Sequence, residues 1–458
     1  MKKQILAAAL VLLIFAPVVF AQSLRGSYFF ETSLQRSKLN AAFAPQNNFY
    51  VSIPLLGSIS NDACSNIGLG NFLFPNGNTP YTFMHENVPA ETFLGKLPET
   101  DPYLRTRTEL DLLGGGFRVG QYGFATVAVS TAVESETILP NEFLRFAKTA
   151  ESGSYPGPKV KANSYGILSL GYSHDLSVLV EGLRIGGRVK LLGGLYAGDL
   201  DFCQMTVHLP GDDTAEEPNG HVVLMRTDNL TVSTDGSCYL AGLKWADKKI
   251  RPVEGKGFNG FGVAVDFGIE YRLQLDGFIN GVIFSASVNN LGTMRYNRNV
   301  SLLLTGATAS YTGFTGINAD YDFKTNFNQV VDDFSRLANV SSNPTESYRP
   351  FLTPSYYAGL EVPFFQEMFS AGVLYYKAMG FDNLMVSANV TPMPWLNIGL
   401  NGSFLGAANT YGFYAEFIPK KWVGVFCGMD IASLKTNRNH IPIDNCTRSA
   451  CLGINFVW

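Results

Sequence analysis

Residues 260–273 read GFGVAVDFGIEYRL, and the parity of this stretch decides the fold. Phe261, Val263, Val265, Phe267, Ile269, Tyr271 and Leu273 take the odd positions, while Gly262, Asp266, Gly268, Glu270 and Arg272 fall on even ones. Successive side chains of a strand point to opposite faces, so one face here is wholly apolar and the other carries charge. A membrane-barrel strand needs this division, because it shows lipid one side chain and the lumen the next.

The pattern recurs toward the C-terminus. Segments beginning at Tyr356, Phe369, Leu384, Leu396, Thr410, Val423 and Ala450 alternate in the same way, and Pro392-Met393-Pro394 and Pro419-Lys420-Lys421 make short breaks between neighbours. Each run is close to the roughly 9–11 residues that a tilted strand needs to cross the hydrocarbon. Further strands are expected over residues 106–119, 121–135, 164–175, 184–196, 282–290 and 300–311, with at least a pair within 201–243. The predicted fold is all-β: a transmembrane, antiparallel, up-and-down β-barrel of about 14 strands, within a range of 12 to 16.

Composition agrees with a surface that mostly avoids water. Only 16% of the 458 residues are charged, 13% are aromatic and 46 are Gly, against about 25% charged in soluble chains. Met1-Lys2-Lys3, the apolar run Ile5 to Phe20 and Ala21 form a signal-peptide pattern with cleavage expected after Ala21. Losing Lys2 and Lys3 takes the formal charge from −4 to −6 (−4 − 2), which argues against a nucleic-acid partner. No later apolar stretch is long enough for a membrane helix, so a membrane form must close its backbone hydrogen bonds as a barrel. Outer-membrane lipid is then its surroundings.

The expected organisation is a signal peptide at 1–21, a plug or periplasmic segment at 22–100, and the barrel at 101–458. Long extracellular excursions are expected near 201–252, with the acidic run Asp212 to Glu217, and near 316–354, with an amphipathic helix from Phe323 to Val340. Phe456 and Trp458 close the last alternating strand and are expected to form the signal read by the barrel-insertion machinery.

Strand parity places Arg107, Glu109, Asp111, Arg184, Arg188, Lys190, Asp266, Glu270, Arg272, Glu361, Glu416 and Asp430 on the lumen side. Such charges must pair or meet water. Two disulfides are expected, Cys203 with Cys238 and Cys446 with Cys451, while Cys427 falls on the lipid face. No Cys/His spacing points to zinc, and no cofactor motif is present. Ser173-His174-Asp175 are triad residue types, but adjacent strand positions face opposite ways, and no GxSxG, HExxH or Walker A motif occurs. An enzyme is not expected.

The mature start, with Phe29-Phe30, Leu39-Asn40-Ala41-Ala42-Phe43-Ala44-Pro45 and Phe49-Tyr50-Val51-Ser52-Ile53-Pro54, resembles the FadL-like barrels of the Bacteroidota outer membrane, a group that includes PorV-type secretion partners. Those proteins carry an Asn-Pro-Ala element near the mature N-terminus; Asn40, Phe43 and Pro45 belong to its counterpart here, with Ala41 in place of the Pro. The resemblance implies a 14-stranded barrel with an N-terminal plug and passage of a hydrophobic small molecule. The alternative it implies is a non-transporting scaffold or secretion accessory that binds protein partners through its loops.

Overall fold

The computed structural model describes residues 24–75, 81–83, 85, 87–149, 151, 153–208, 230–246, 249–253, 257–305, 308–311, 340–350, 352–406, 409–419, 422–431 and 447–458. Fourteen antiparallel strand positions close a barrel. The first, β1, comes in two pieces, Phe49–Ser52 and Ile59–Ser65. It is followed by β2 (Tyr103–Val119), β3 (Gly123–Ile138), β4 (Lys159–Asp175), β5 (Leu183–His208), β6 (Gly260–Gln274) and β7 (Gly281–Tyr296). The remainder are β8 (Ser355–Phe364), β9 (Phe369–Ala378), β10 (Phe381–Met393), β11 (Leu396–Phe404), β12 (Thr410–Phe417), β13 (Trp422–Ile431) and β14 (Thr447–Val457).

Alternation explains the wall. In β6 the odd row from Phe261 to Leu273 includes the exposed Phe261, Val263, Phe267, Ile269 and Tyr271, while Asp266 and Glu270 on the other face are buried. The same division holds around the later strands, where Leu360, Val373, Val386, Leu400, Phe413, Val425 and Leu452 all lie on the exposed face. Cys427 is exposed on that face too. Among the described residues no helix is long and apolar enough to cross a membrane. The apolar exterior and closed ladder are those of an outer-membrane β-barrel.

Closure depends on β1, which pairs with both ends of the sheet. Tyr50 stands opposite Gly116 of β2 and Val457 of β14; Asn61 stands opposite Thr108 and Ala450. Between the two pieces, Pro54 has no N–H to give the ladder and Leu55 adopts φ 66°, so residues 53–58 bulge with Leu55 and Leu56 exposed, while Ile53 and Leu56 keep bonds to Ile454 and Ser58 keeps one to Asp111. The chain returns close to where it left, since a Cβ on Gly57 would lie 2.3 Å from the Ser52 Cβ.

The expected 22–100 plug segment therefore divides into three. Only 24–45 lies within the barrel, 49–65 is wall reached through the exposed Gln46 and Asn48, and 66–102 sits at the end with the long loops, because Ser65 pairs with Leu104 there. In that last part the buried Phe74, Val88 and Phe93 pack on Leu144 of the helix Asn141–Thr149 and form a small apolar core. The FYVSIP stretch was hard to recognise as wall because Pro54 interrupts its parity.

The long-loop end also carries more sheet than expected. β5 runs 26 residues, and its far half pairs with Leu230–Ala241, which pairs in turn with Val300–Thr305 and Thr308–Tyr311, with Val340–Pro344 beyond. The excursions near 201–252 and 316–354 are thus partly strand. The acidic run and most of the helix expected over 323–340 lie outside the described residues.

The backbone register sets Cys238 opposite Leu200, three positions from Cys203, and the side chains of both cysteines lie outside the described ones. Cys446 lies outside the described residues, and Cys451 is buried on the lumen side.

Two outcomes follow from the wall. Leu400, 63% exposed at the centre of β11, should cost about 2–4 kcal/mol of folding stability in liposomes when changed to Arg, measured by denaturant titration; a change near zero would mean that this face does not meet lipid. Deleting 456–458 removes the carbonyl that accepts the Asn48 and Phe49 N–H groups and two residues paired with β1. The variant should lose the compact, unheated band of a folded barrel on gels, and a native-like band would count against closure through this contact.

Candidate functional site in the barrel lumen

Residues 24–44 cross the lumen as short turns and two single-turn 3-10 helices, Leu24–Ser27 and Arg36–Lys38. Their aromatic side chains supply one half of a core. Tyr28, Phe29, Phe30 and Phe43 pack with Tyr357, Leu374, Tyr376, Met385, Tyr414 and Phe426 from the wall. Space for these rings is made by wall glycines: a Cβ on Gly372 would lie 2.5 Å from the Phe29 ring, and one on Gly359 2.6 Å from the Tyr28 ring.

The tightest junction is at Asn40-Ala41-Ala42. The Asn40 Nδ2 donates to the Ile269 and Ala286 carbonyls at 3.1 and 3.2 Å, and its Oδ1 accepts from the Ala42 N–H at 2.9 Å. Ser287 Oγ and Asn289 Nδ2 each donate to the Leu39 carbonyl at 2.7 Å, and Ser173 Oγ donates to the Ala42 carbonyl at 2.6 Å. The wall is Gly at the two points of closest approach. A Cβ on Gly268 would fall 1.9 Å from the Asn40 Oδ1, and one on Gly186 2.0 Å from the Ala41 carbonyl oxygen. Pro45 is buried, and its carbonyl accepts from Arg118 at 3.3 Å.

Charged side chains complete the attachment, and half of the twelve residues named from parity take part. Arg36 meets Glu270 at 3.0 Å with its guanidinium 3.7 Å above the Phe43 ring. Lys38 meets Asp111 at 2.7 Å and Glu109 at 3.8 Å. Arg272 pairs with Glu31 and, at 3.0 Å, with Glu367. Glu416 accepts from Ser33 and Asn397, and Arg188 donates to the Ser37 carbonyl at 2.7 Å. Asp266, fully buried, receives Arg188 and Lys190 at 3.3 and 2.8 Å. Arg107 pairs with Glu134 at 2.7 Å, Arg184 with Asp175 at 3.0 Å, and Glu361 and Asp430 are buried on the same interior face.

Sequence reasoning missed several partners. Glu134 and Glu136 were legible in principle, since they continue the interior parity of β3 past Ala132. Arg25, Arg36 and Lys38 carried no signal, because an irregular segment has no period. Ser173 and His174 separate as strand geometry requires: Ser173 bonds the inner segment, while His174 bonds Tyr172. Phe456 and Trp458 are exposed and stack loosely with each other, centroids 6.0 Å apart, and Trp458 also contacts Phe49.

Between the inner segment and the long-loop end lies a chamber of about 550 Å³, bounded by β1 to β5, Leu34–Leu39 and Tyr348–Pro350. Its wall carries two belts of side chains on directly opposed positions. One runs Arg105, Glu136, Lys161, Asp199 across β2 to β5; the other runs Asp62, Arg107, Glu134, Asn163 across β1 to β4. Arg105 meets Glu136 at 2.5 Å, Tyr348 donates to Asp199 at 2.8 Å, and Arg25 meets Asp62 at 2.9 Å. The chamber thus carries charged belts on its β1 to β5 side beside apolar lining from Leu24, Leu34, Leu39 and Ile167, and the belts give it an electrostatic chemistry.

Solved structures with related overall layout include the Pseudomonas putida toluene transporter TodX (11% identity, 96% of this chain and 94% of that one, TM-score 0.40). The Ralstonia pickettii toluene transporter TbuX (8%, 92% and 93%, 0.41) and a Pseudomonas aeruginosa FadL homologue (10%, 96% and 99%, 0.39) are others. Comparison with curated protein sequences finds no match. A family model described as "Family of unknown function (DUF5723)" matches residues 42–430, and the chain belongs to that family.

Proposed function

We propose that this barrel is an outer-membrane passage for small molecules in which residues 24–44 act as the plug. The observation that carries the reading is the attachment of one short segment to widely separated strands of the wall, by Lys38 to β2, by Arg36 and Asn40 to β6 and by Ser33 to β12, directly beneath an open chamber. A solute entering from the long-loop side meets the chamber first and the plug second. The chamber also reaches Ser52, Gly114 and Val127 beside the break in β1, and Val127 lies on the lipid face, which supports a lateral route past the wall. Its charged lining favours a polar or amphiphilic solute over the hydrophobic cargo expected from the resemblance.

A scaffold role is the second reading. It draws on the sheet raised on β5, which gives the long-loop end an ordered surface for a protein partner. Removing the raised sheet should then abolish capture of a partner while leaving flux intact.

Deleting 24–44, which spares the β1 wall, should raise small-solute flux into liposomes at least tenfold with the folded band on gels unchanged. Unaltered flux through a folded barrel would remove the plug from the mechanism. A subtler opening is expected from Gly268→Val, whose side chain must displace Asn40, and from Arg36→Ala, which strands buried Glu270. Both should increase labelling of an Ala41→Cys reporter severalfold, and equal labelling in all backgrounds would mean that these contacts do not hold the segment.

A further inference from the structure

The chamber has a charge imbalance that pairing leaves exposed. Eight cationic and six acidic side chains line it. Every one of the six acids already receives a donor: Asp62 from Arg25, Glu109 and Asp111 from Lys38, Glu134 from Arg107, Glu136 from Arg105 and Asp199 from the Tyr348 hydroxyl. Arg188 and Lys190 are held by Asp266 behind the lining. Two cations remain, Lys161 and Arg349, and among the described residues neither has an acidic partner within ion-pair distance.

Their positions explain why. Lys161 stands on β4 directly between Glu136 and Asp199. Both neighbours would serve it, but Arg105 takes the first and Tyr348 the second. Arg349 follows Tyr348 in the chain, so the residue that occupies Asp199 also brings a second unpaired cation to the same cavity. Both are exposed. One step deeper in the β4 parity, Asn163 is 8% exposed and lines the chamber; its Oδ1 accepts from Tyr296 at 2.7 Å, while its Nδ2 is buried without a hydrogen-bond partner. An unmet buried donor is costly unless something accepts from it.

We infer that the chamber mouth is a binding site for small oxyanions, with Lys161 and Arg349 receiving a carboxylate or phosphate and Asn163 donating to an oxygen set deeper. The volume of about 550 Å³ falls in the range of roughly 300–1,000 Å³ usual for small-molecule sites. Lys161 and Arg349 together outweigh Asp199, whose carboxylate keeps its charge when a hydroxyl donates to it, and the net positive charge at the mouth raises the encounter rate of anions, an effect that falls with salt. The inference rests on the reading of the chamber as an entrance and narrows its substrate class. The oxyanion belongs either to a compact solute or to the head of an amphiphile.

The test is equilibrium binding by calorimetry to the purified full-length barrel in neutral detergent at low salt, with succinate, inorganic phosphate, decanoate below its micellar concentration, and choline as the cationic control. Succinate or phosphate should bind and choline should not, and a Lys161→Glu, Arg349→Glu double variant should weaken anion binding at least tenfold. Asn163→Ala should weaken it severalfold. Binding of decanoate alone would assign the oxyanion to an amphiphile, and binding of the compact anions would assign it to a free solute. Anion binding equal in the wild type and double variant, or no anion binding at millimolar concentration, overturns the inference. Lys161→Gln with Arg349→Gln repeats the test without charge reversal, and the folded band on gels checks each variant. Binding in detergent needs no passage: anion binding without liposome flux would defeat the transport reading and leave this one standing. Flux indifferent to the charge-reversed pair, with no anion binding, would do the reverse.

Discussion

In hydrocarbon a backbone N–H or C=O without a partner costs several kcal/mol, and this requirement governs the molecule from the first wall strand inward. A sheet of fourteen positions can satisfy it only by returning to its own edge, which here falls to β1. The two pieces of β1 together span the pairing between β2 and β14, and the carbonyl of Trp458 accepts from both Asn48 and Phe49. Closure in turn makes an interior. With one side chain in two pointing to lipid, the other half must be accommodated within the barrel, and the strands send charge there.

Charge inside a closed wall creates the next demand. Glu270, Asp266 and Glu416 are buried, and a buried carboxylate left alone is far more costly than one that is paired or hydrogen-bonded. Wall partners answer part of the demand, as in Arg188 and Lys190 with Asp266. The inner segment answers the rest with Arg36, Lys38 and Ser33. Its aromatic rings fill the space opened by wall glycines at 359 and 372, so the same segment removes apolar surface from water and neutralises the lumen.

Those demands differ in how far they can be read from sequence. The wall strands were legible where lipid and lumen impose opposite chemistry on neighbouring residues, as from Phe261 to Leu273, and the twelve charges named from parity fall on the interior faces of their strands. Legibility failed where that contrast vanishes. β1 is two short pieces split by Pro54, so its period never repeats enough to be seen. Beyond Ala197, β5 has loop strands rather than bilayer beside it, and polarity on both faces erases the alternation. The register that sets Cys238 against Leu200 is a property of pairing between distant segments, which spacing within the chain does not encode. Arg25, Arg36 and Lys38 lie on turns, where only the folded wall shows what each meets.

Lys38 joins the two halves of the site. It belongs to the inner segment, lines the chamber, and holds Asp111 and Glu109 of β2. A ligand shifts the position of such a segment only to the extent that it binds one arrangement better than the other. An anion confined to Lys161 and Arg349 touches neither Lys38 nor its acids, so it has no differential contact with which to move the plug. One that reaches Asn163 is already at the belt of Arg107 and Glu134, and beneath that belt lies Glu109, where competition for Lys38 begins. Reach into the chamber, rather than affinity at its mouth, is therefore what separates a solute that is merely held from one that loosens the segment beneath it.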